Sequence, residues 1–412
     1  MANLLKIALR NLLRYRRRTL LTTSLIAIGV IFVLLFVAVT GSFKNLMIAQ
    51  TTDSMLGHLQ VHKRGYVASI ENLPLNLNLS GEALNRVEEM LDRRPEVANF
   101  SARLKFGAMF STFVETTNIR LNGIDPEREL ATVPLLAGRL LEGEPELTPG
   151  QLWVPELLAR GMGVAMGDTV VVVATNQDGS VNGRQLTVGG ILESATGPGG
   201  RDGYLHIDDA AAILRLEKRE ISEIAVRLDN FDHLPAVAAA LEQELAPHTT
   251  PQGRPLYELH TWERLSPFYN IARMIEVMTF FVKLMLIAIV LVSIMNVMIM
   301  AVYERIREIG TMAAIGTLPG RILALFMLEG FSLGVAGAAI GGVLGLLLIK
   351  LLNLAEITYD FGRQQGLVLQ AEIPGGELVL ISLIVIGGAV LASLQPAFKA
   401  SRLDPIRALH HV

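Results

Sequence analysis

Charged side chains are scarce in the second half of this chain, and one group of them stands where it could act together. Glu304, Arg305, Arg307 and Glu308 lie between two long apolar runs. Through the same stretch Ile306, Ile309, Met312 and Ala313 recur at i, i+3, i+6 and i+7, the apolar stripe of a helix. A short amphipathic helix between two membrane spans lies at the membrane surface. Its carboxylates and guanidinium groups would make ion pairs and hydrogen bonds with a docked protein. Gly310 and Gly316 would allow close approach and a sharp end. A polar loop that only joins two spans is the other reading of the same residues.

Two polar side chains fall inside the apolar runs themselves. Asn296 is central in the second. Glu329 is in the third, about two turns or roughly 12 Å beyond Arg321. A carboxylate in hydrocarbon is costly and is retained for a reason. It either pairs with a polar group of a neighbouring helix, for packing or coupling, or handles a proton or substrate. The third run also carries Gly330, Gly334, Gly337, Gly341 and Gly345, which make three G-x-x-x-G spacings. Small residues four apart let helix backbones approach closely in lipid, either within one subunit or at a seam between two.

No enzyme site is legible. There is no G-x-x-x-x-G-K-[ST] and no Gly-Lys dipeptide, so the chain offers no P-loop for ATP. The absence of cysteine excludes disulfides and thiolate metal sites. His58 and His62 share a face of an expected strand at 57–63. Two histidines without a third ligand describe an ordinary polar face better than a metal site, and His410-His411 is equally weak. No catalytic, cofactor or metal residue is expected.

The elements that must hold these groups follow from hydropathy. Only 18% of residues are charged, against about 25% in soluble domains, because four runs are almost purely apolar. Residues 20–41 carry no charge and would span roughly 33 Å as a helix. That exceeds a signal-peptide core of about 7–15 residues, so an uncleaved span is expected. Further spans are expected at 276–302, 322–352 and 378–398, with Lys283 snorkelling at the outer end of the second. The first 18 residues hold six bases and no acid, whereas 42–275 holds 30 acids and 21 bases. By the positive-inside rule both termini, with an amphipathic helix in 1–19, the helix and loop at 303–321 and the tail 399–412, face the cytoplasm. Residues 42–275 and a short loop at 353–377 lie on the opposite, outer side of the membrane. The outer segment mixes strands (57–63, 118–124, 169–174, 186–192, 224–228) with helices starting at a Ser80 cap and at 233–245. It contains a Gly/Pro-rich loop at 196–203 and is expected to divide near 135. The fold class is an α-helical membrane protein of four spans, with a large α+β extracytoplasmic domain between spans one and two. This charge distribution points to a membrane and not to nucleic acid.

Residues 293–345, with Asn296, Glu304-Arg305, Arg307-Glu308-Ile309-Gly310, Ala314-Ile315-Gly316 and Glu329-Gly330, closely resemble the permease block of the MacB/LolC/LolE/FtsX superfamily of ABC transporters. So do Ala8-Leu9-Arg10-Asn11-Leu12, Gly138-Arg139, Gly167-Asp168, Pro396-Ala397 and the stretch from Ala400 to Pro405. The resemblance covers the whole chain. It implies a coupling helix after the second span, with coupling assigned to Glu304, Arg305, Arg307, Glu308 and Gly310. It implies a dimer with a second permease copy or paralogue and a cytoplasmic dimer of ATPase subunits, which hold the ATP and magnesium. It implies mechanotransmission, in which ATP-driven motion reaches the periplasmic domain without the substrate having to cross the membrane. The chain differs from MacB in lacking a fused ATPase domain, and from FtsX in its larger outer domain. Residues 57–66 look more like LolC and LolE, although no definite chaperone hook loop is legible. Release of lipoproteins is therefore expected ahead of efflux through a periplasmic adaptor and outer-membrane channel. The rival is a non-transporting regulator of a periplasmic hydrolase.

Overall fold

The computed structural model describes residues 2–194, 202–361 and 364–403. Most of the 196–203 loop and the tail with Asp404, Pro405, Arg407, His410 and His411 lie outside the described residues. In chain order the helices and strands are α1 (Ala2–Arg14), α2 (Arg16–Thr51), β1 (Leu59–Lys63), β2 (Leu79–Ser80), α3 (Gly81–Asp92), β3 (Val97–Ser111), β4 (Thr116–Ile124), α4 (Pro126–Thr132), α5 (Leu135–Gly138), β5 (Leu140–Gly143), β6 (Gln151–Pro155) and α6 (Glu156–Met162). They continue with β7 (Thr169–Thr175), β8 (Val181–Leu192), β9 (Asp202–His206), α7 (Ile207–Ile213), β10 (Glu220–Ile221), β11 (Glu223–Leu228), α8 (Leu234–Leu245), β12 (Tyr257–Thr261), α9 (Trp262–Leu265), α10 (Tyr269–Glu304), α11 (Ile306–Ala314), α12 (Pro319–Leu354), β13 (Thr358–Phe361), β14 (Gln364–Val368) and α13 (Gly375–Ser401). Among these residues the chain forms two compact units. One comprises residues up to 45, 273–359 and from 366 onward; the rest form the other.

In the first unit four helices are long and apolar enough to cross a membrane: α2, α10, α12 and α13. Of these α2, α10 and α12 have 36 residues each. Such a helix is about 54 Å long, against about 30 Å of hydrocarbon, so each outlasts the core at one end or both. The helix at the N-terminus is shorter than the 3–18 periodicity predicts. It stops at Arg14, Tyr15 makes a turn, and α2 starts at Arg16. Thr19 Oγ1 donates to Leu12 O at 2.7 Å across that turn. Ala8 and Leu12 are buried while Lys6 and Arg10 are exposed, so α1 is amphipathic as expected.

The glycine stripe of α12 lies inside this unit. A Cβ on Gly330 would stand 2.6 Å from Ser393 Cβ, and one on Gly334 2.8 Å from Ala389 Cβ, both on α13. On Gly341 it would stand 2.7 Å from Val30 Cβ and 2.8 Å from Ala27 O, and on Gly345 2.8 Å from Leu34 Cδ1, all on α2. Gly337 is filled by the Ile26 side chain of α2. All five are therefore packed against the chain's own spans, which decides between the two readings of the stripe. Lys283 does not simply snorkel: its Nζ lies 3.3 Å from Glu377 Oε1 at the start of α13. The 353–377 loop is not bare, because β13 and β14 pair within it. Asn353 closes it with two bonds to Ala371, Nδ2 to O and Oδ1 from N, each 2.9 Å.

The second unit is built on a ten-stranded sheet in the order β12-β1-β11-β3-β4-β9-β6-β8-β5, with β7 against β3 and β8. Alternation explains its strands. Leu104, Phe106, Ala108 and Phe110 of β3, and Val170, Val172 and Ala174 of β7, point into one core. The β7–β8 hairpin turns where Asp178 Oδ1 accepts from Ser180 N (2.9 Å) and Gly179 takes φ +81°. In α3, Leu84, Val87 and Leu91 are buried. Ser80 stands at its N-cap but makes no side-chain cap bond; its backbone is paired with Glu220 in the β2–β10 ladder instead. Residue 135 is not a boundary between sheets. β4, before it, pairs in parallel with β9, after it, and β3 pairs with β11 and β7, so strands from both sides interleave.

Candidate coupling site

The α10–α11 junction is a kink at one residue, not a loop. Arg305 leaves helical geometry at φ −115°, ψ 19°, and its carbonyl accepts from Ile309 N at 2.9 Å. The turn sends its side chain inward, where it is only 3% exposed. Nη1 donates to Glu329 Oε1 at 2.8 Å and Oε2 at 3.2 Å, and Nε donates to Glu308 Oε2 at 2.9 Å. The guanidinium lies 5.5 Å from the Phe326 ring and 5.7 Å from the Tyr15 ring. Helix α1 completes the cluster. Asn11 Nδ2 donates to Glu329 Oε1 at 2.9 Å, and Tyr15 OH donates to Glu308 Oε1 at 3.0 Å. Just past the turn, Arg18 Nη1 lies 3.2 Å from Glu304 Oε2. Partial burial alone would raise the Glu308 carboxyl; the hydrogen bonds from Arg305 and Tyr15 outweigh it and hold the group below its usual range.

This network corrects the expectation that the charges of 304–308 all face a partner. Arg305 is buried and taken by Glu329, Glu308 is bonded by Tyr15 at the turn between α1 and α2, and Glu304 is paired with Arg18 of α2. The stripe of α11 behaves as its spacing predicts: Ile306, Ile309 and Gly310 are buried, and Met312 and Ala313 pack on the span core. The outward face carries Arg307, Thr311 and Ala314, and past the helix Ile315 and Leu318 are 78% and 62% exposed. Gly316 ends the helix at φ +88°, with Gly316 N bonded to Ala313 O (3.1 Å) and Thr317 N to Met312 O (3.0 Å). Asn296 is exposed on the surface of α10.

Residues 19–244, more than half of the chain, match the family model of the MacB-like periplasmic core domain, and residues 280–405 match that of the FtsX-like permease C-terminal domain. The chain is an ABC transporter permease of the MacB/LolC/FtsX superfamily. It is 25% identical over 416 residues to the lipoprotein-releasing system transmembrane protein LolC of Neisseria meningitidis, covering 95% of this chain and 94% of that one. It is 24% identical over 422 residues to the uncharacterized ABC transporter permease YknZ of Bacillus subtilis, covering 99% and 98%. Among solved structures, the periplasmic region of MacB from Actinobacillus actinomycetemcomitans matches at 10% identity with a TM-score of 0.34, covering 50% of this chain and 89% of that one.

In this permease the residues that periodicity missed are Asn11, Tyr15 and Arg18. Asn11 was visible only as part of the family-like run at 8–12, and Tyr15 reads as one more apolar position. Ile315 and Leu318 escaped notice because they flank a helix-ending glycine and not a stripe. In the outer unit the histidines are held by protein groups. His58 Nδ1 accepts from Leu228 N at 3.0 Å. His62 sits opposite Glu223, its Nε2 3.7 Å from Oε2, and stacks on Tyr66 at 5.3 Å. Among the described residues no group of three or more His, Cys, Asp or Glu is placed to hold a metal. Glu223 is also opposite Arg103 on β3. Arg103 Nη1 reaches Glu223 Oε1 at 3.0 Å, Lys105 Nζ reaches the same oxygen at 2.8 Å, and Arg103 Nη2 lies 2.8 Å from Glu129 Oε1. Burial would raise the Glu223 carboxyl; Lys105 and Arg103 outweigh it and hold it well below its usual range.

Proposed function

We propose that this permease couples a separate cytoplasmic ATPase dimer to the extraction of a substrate on the periplasmic side, with lipoproteins of the inner membrane as the favoured substrate. The termini and α11 face the cytoplasm in this reading, in keeping with the six bases of the first 18 residues. The ATPase docks on the outward face of α11, with Ile315 and Leu318 as apolar anchors and Arg307 beside them. The observation that carries the reading is the Arg305–Glu329 pair with its Asn11 and Glu308 partners. It fixes the root of the docked helix to α12 and α1, so a push on α11 moves spans and not side chains. Helices α2 and α10, joined by the Lys44–Glu276 ion pair of 2.8 Å, pass the motion outward. Lipoprotein release is supported by the likeness to LolC over nearly the whole length of both chains.

A second permease copy or paralogue is part of the proposal. A carboxamide exposed in the middle of a span has no hydrogen-bonding solvent in lipid, and a partner span at Asn296 supplies one. The deciding measurement for substrate is native mass spectrometry of the complex extracted gently from its own membranes. An acylated protein on two permease copies, or on one with a paralogue, supports release. A periplasmic adaptor or channel component overturns it in favour of efflux, and a soluble hydrolase in favour of a regulator. For docking, Ile315→Asp with Leu318→Asp should abolish permease-dependent ATPase stimulation without altering the melting of the permease. Full stimulation in that variant would remove the assignment.

A further inference from the structure

At the same end of the bundle a second feature is independent of the ion network. A hollow of about 470 Å³ opens between the ends of α10 and α13, within the size range of about 300–1,000 Å³ typical of small-ligand sites. Its inner wall is apolar, made by Ile299 and Val302 of α10 and by Pro396 and Leu403 on the α13 side. Its rim carries Lys399 and Arg402, and no carboxylate is among the lining residues. Arg402 is already oriented: its guanidinium lies 4.3 Å from the centroid of the Phe398 ring, a stacking that holds the planar fork in place. Tyr303 stands at the mouth and is 60% exposed, an amphipathic ring at the height where span meets headgroup.

We propose that this hollow is a binding site for a phospholipid with a net negative headgroup. The phosphate sits between the Lys399 ammonium and the Arg402 guanidinium, and the first part of one acyl chain lies along Ile299, Val302 and Pro396. Charge selects the occupant. Two cations without a lining carboxylate, above an apolar wall at the end of two spans, match an anionic lipid on both sides of its own polar boundary. A zwitterionic lipid offers the same chains but sets its own cation against Lys399 and Arg402. Arg402 matters more than Lys399, because a guanidinium donates two parallel bonds to phosphate where an ammonium acts as a point charge. Ile306, which also lines the hollow, follows Arg305 directly, so the bound lipid touches the root of α11.

The test uses the purified full-length permease with its ATPase, stripped of lipid in detergent and titrated with phosphatidylglycerol or phosphatidylcholine under native mass spectrometry. One phosphatidylglycerol per permease chain should be retained at a concentration about tenfold lower than phosphatidylcholine requires. Lys399→Gln with Arg402→Gln, both at exposed positions, should erase that preference. Equal retention of the two lipids, or a preference that survives the double substitution, overturns the site. Tyr303→p-benzoylphenylalanine, photolysed in native membranes, separates the occupants. A phospholipid adduct supports the site, whereas an adduct to the ATPase or to a second permease overturns it in favour of a protein interface.

Discussion

Arg305 and Glu329 join the residue at which α10 gives way to α11 to the interior of α12, with Nη1 2.8 Å and 3.2 Å from the two carboxylate oxygens. Both side chains are almost wholly buried. Such a pair is weak evidence for stability, since desolvation offsets most of the attraction, but it fixes one arrangement of the elements it connects.

Removing one member should show this. Arg305→Ala leaves Glu329 buried with only Asn11 beside it, and should destabilise the membrane unit by about 3–5 kcal/mol. Arg305→Leu with Glu329→Leu should recover much of that loss while ATPase stimulation stays impaired. Thermal unfolding of the detergent-purified protein, read beside ATPase assays of the complex, measures both. Wild-type melting in Arg305→Ala would show that the pair constrains nothing.

Adjacent glycines of α12 should behave differently. A Cβ on Gly341 would meet Val30 and the Ala27 carbonyl at 2.7 and 2.8 Å, while one on Gly342 meets nothing within 4 Å. Gly341→Ala should lose about 1–3 kcal/mol through overpacking. Gly342→Ala should be neutral or gain up to about 1 kcal/mol of helix propensity. Comparative melting temperatures decide it, and equal effects would contradict the packing described.

The outer unit should depend on acid through Glu223. Its folded pKa is depressed, so its contribution is complete above the unfolded value near 4.5 and disappears as pH falls through the folded value. Glu223→Gln should lose about 3–5 kcal/mol near pH 7, because Lys105 loses its counter-charge and the buried Arg103 is left with Glu129 alone. It should also flatten the acid limb. The chain has two tryptophans, and Trp153 and Trp262 are both buried in the outer unit. Tryptophan fluorescence of the intact protein therefore follows this unit alone. An acid limb as steep in the variant as in the wild type would exclude Glu223 as its source.

Asn296 offers a direct test of the proposed second permease subunit. The chain contains no cysteine, so Asn296→Cys introduces a single thiol. Oxidation of membranes carrying it should yield a disulfide-linked dimer if two copies meet along α10. A cross-link to a paralogue in its place, through a thiol engineered there, would make the pair a heterodimer. No cross-link to either would remove Asn296 from the seam.

The sequence carried the local features of this fold and missed the distant ones. The stripe of α11 and the alternation of β3 and β7 are periodic, and periodicity is visible in a short window. Glu329 stood out because a carboxylate in a span demands an explanation. Its partners did not, since Arg305 reads as one more surface charge in a charged run and Asn11 is 318 residues away. The glycine spacing announced close packing without naming the helices that fill it. The division expected near 135 rested on local pattern, whereas the β4–β9 pairing that denies the boundary joins residues 120–124 to 202–206.

Glycine is the smallest residue, so every substitution on the α12 stripe adds atoms where Ile26, Val30 and Leu34 of α2, or Ala389 and Ser393 of α13, already stand. The stripe can therefore drift only if those helices drift with it. Chimeras of related permeases should tolerate exchange of the outer unit more readily than exchange of α12 alone. Within this superfamily α2, α12 and α13 would then be inherited as a single block, although some three hundred residues separate the first from the other two.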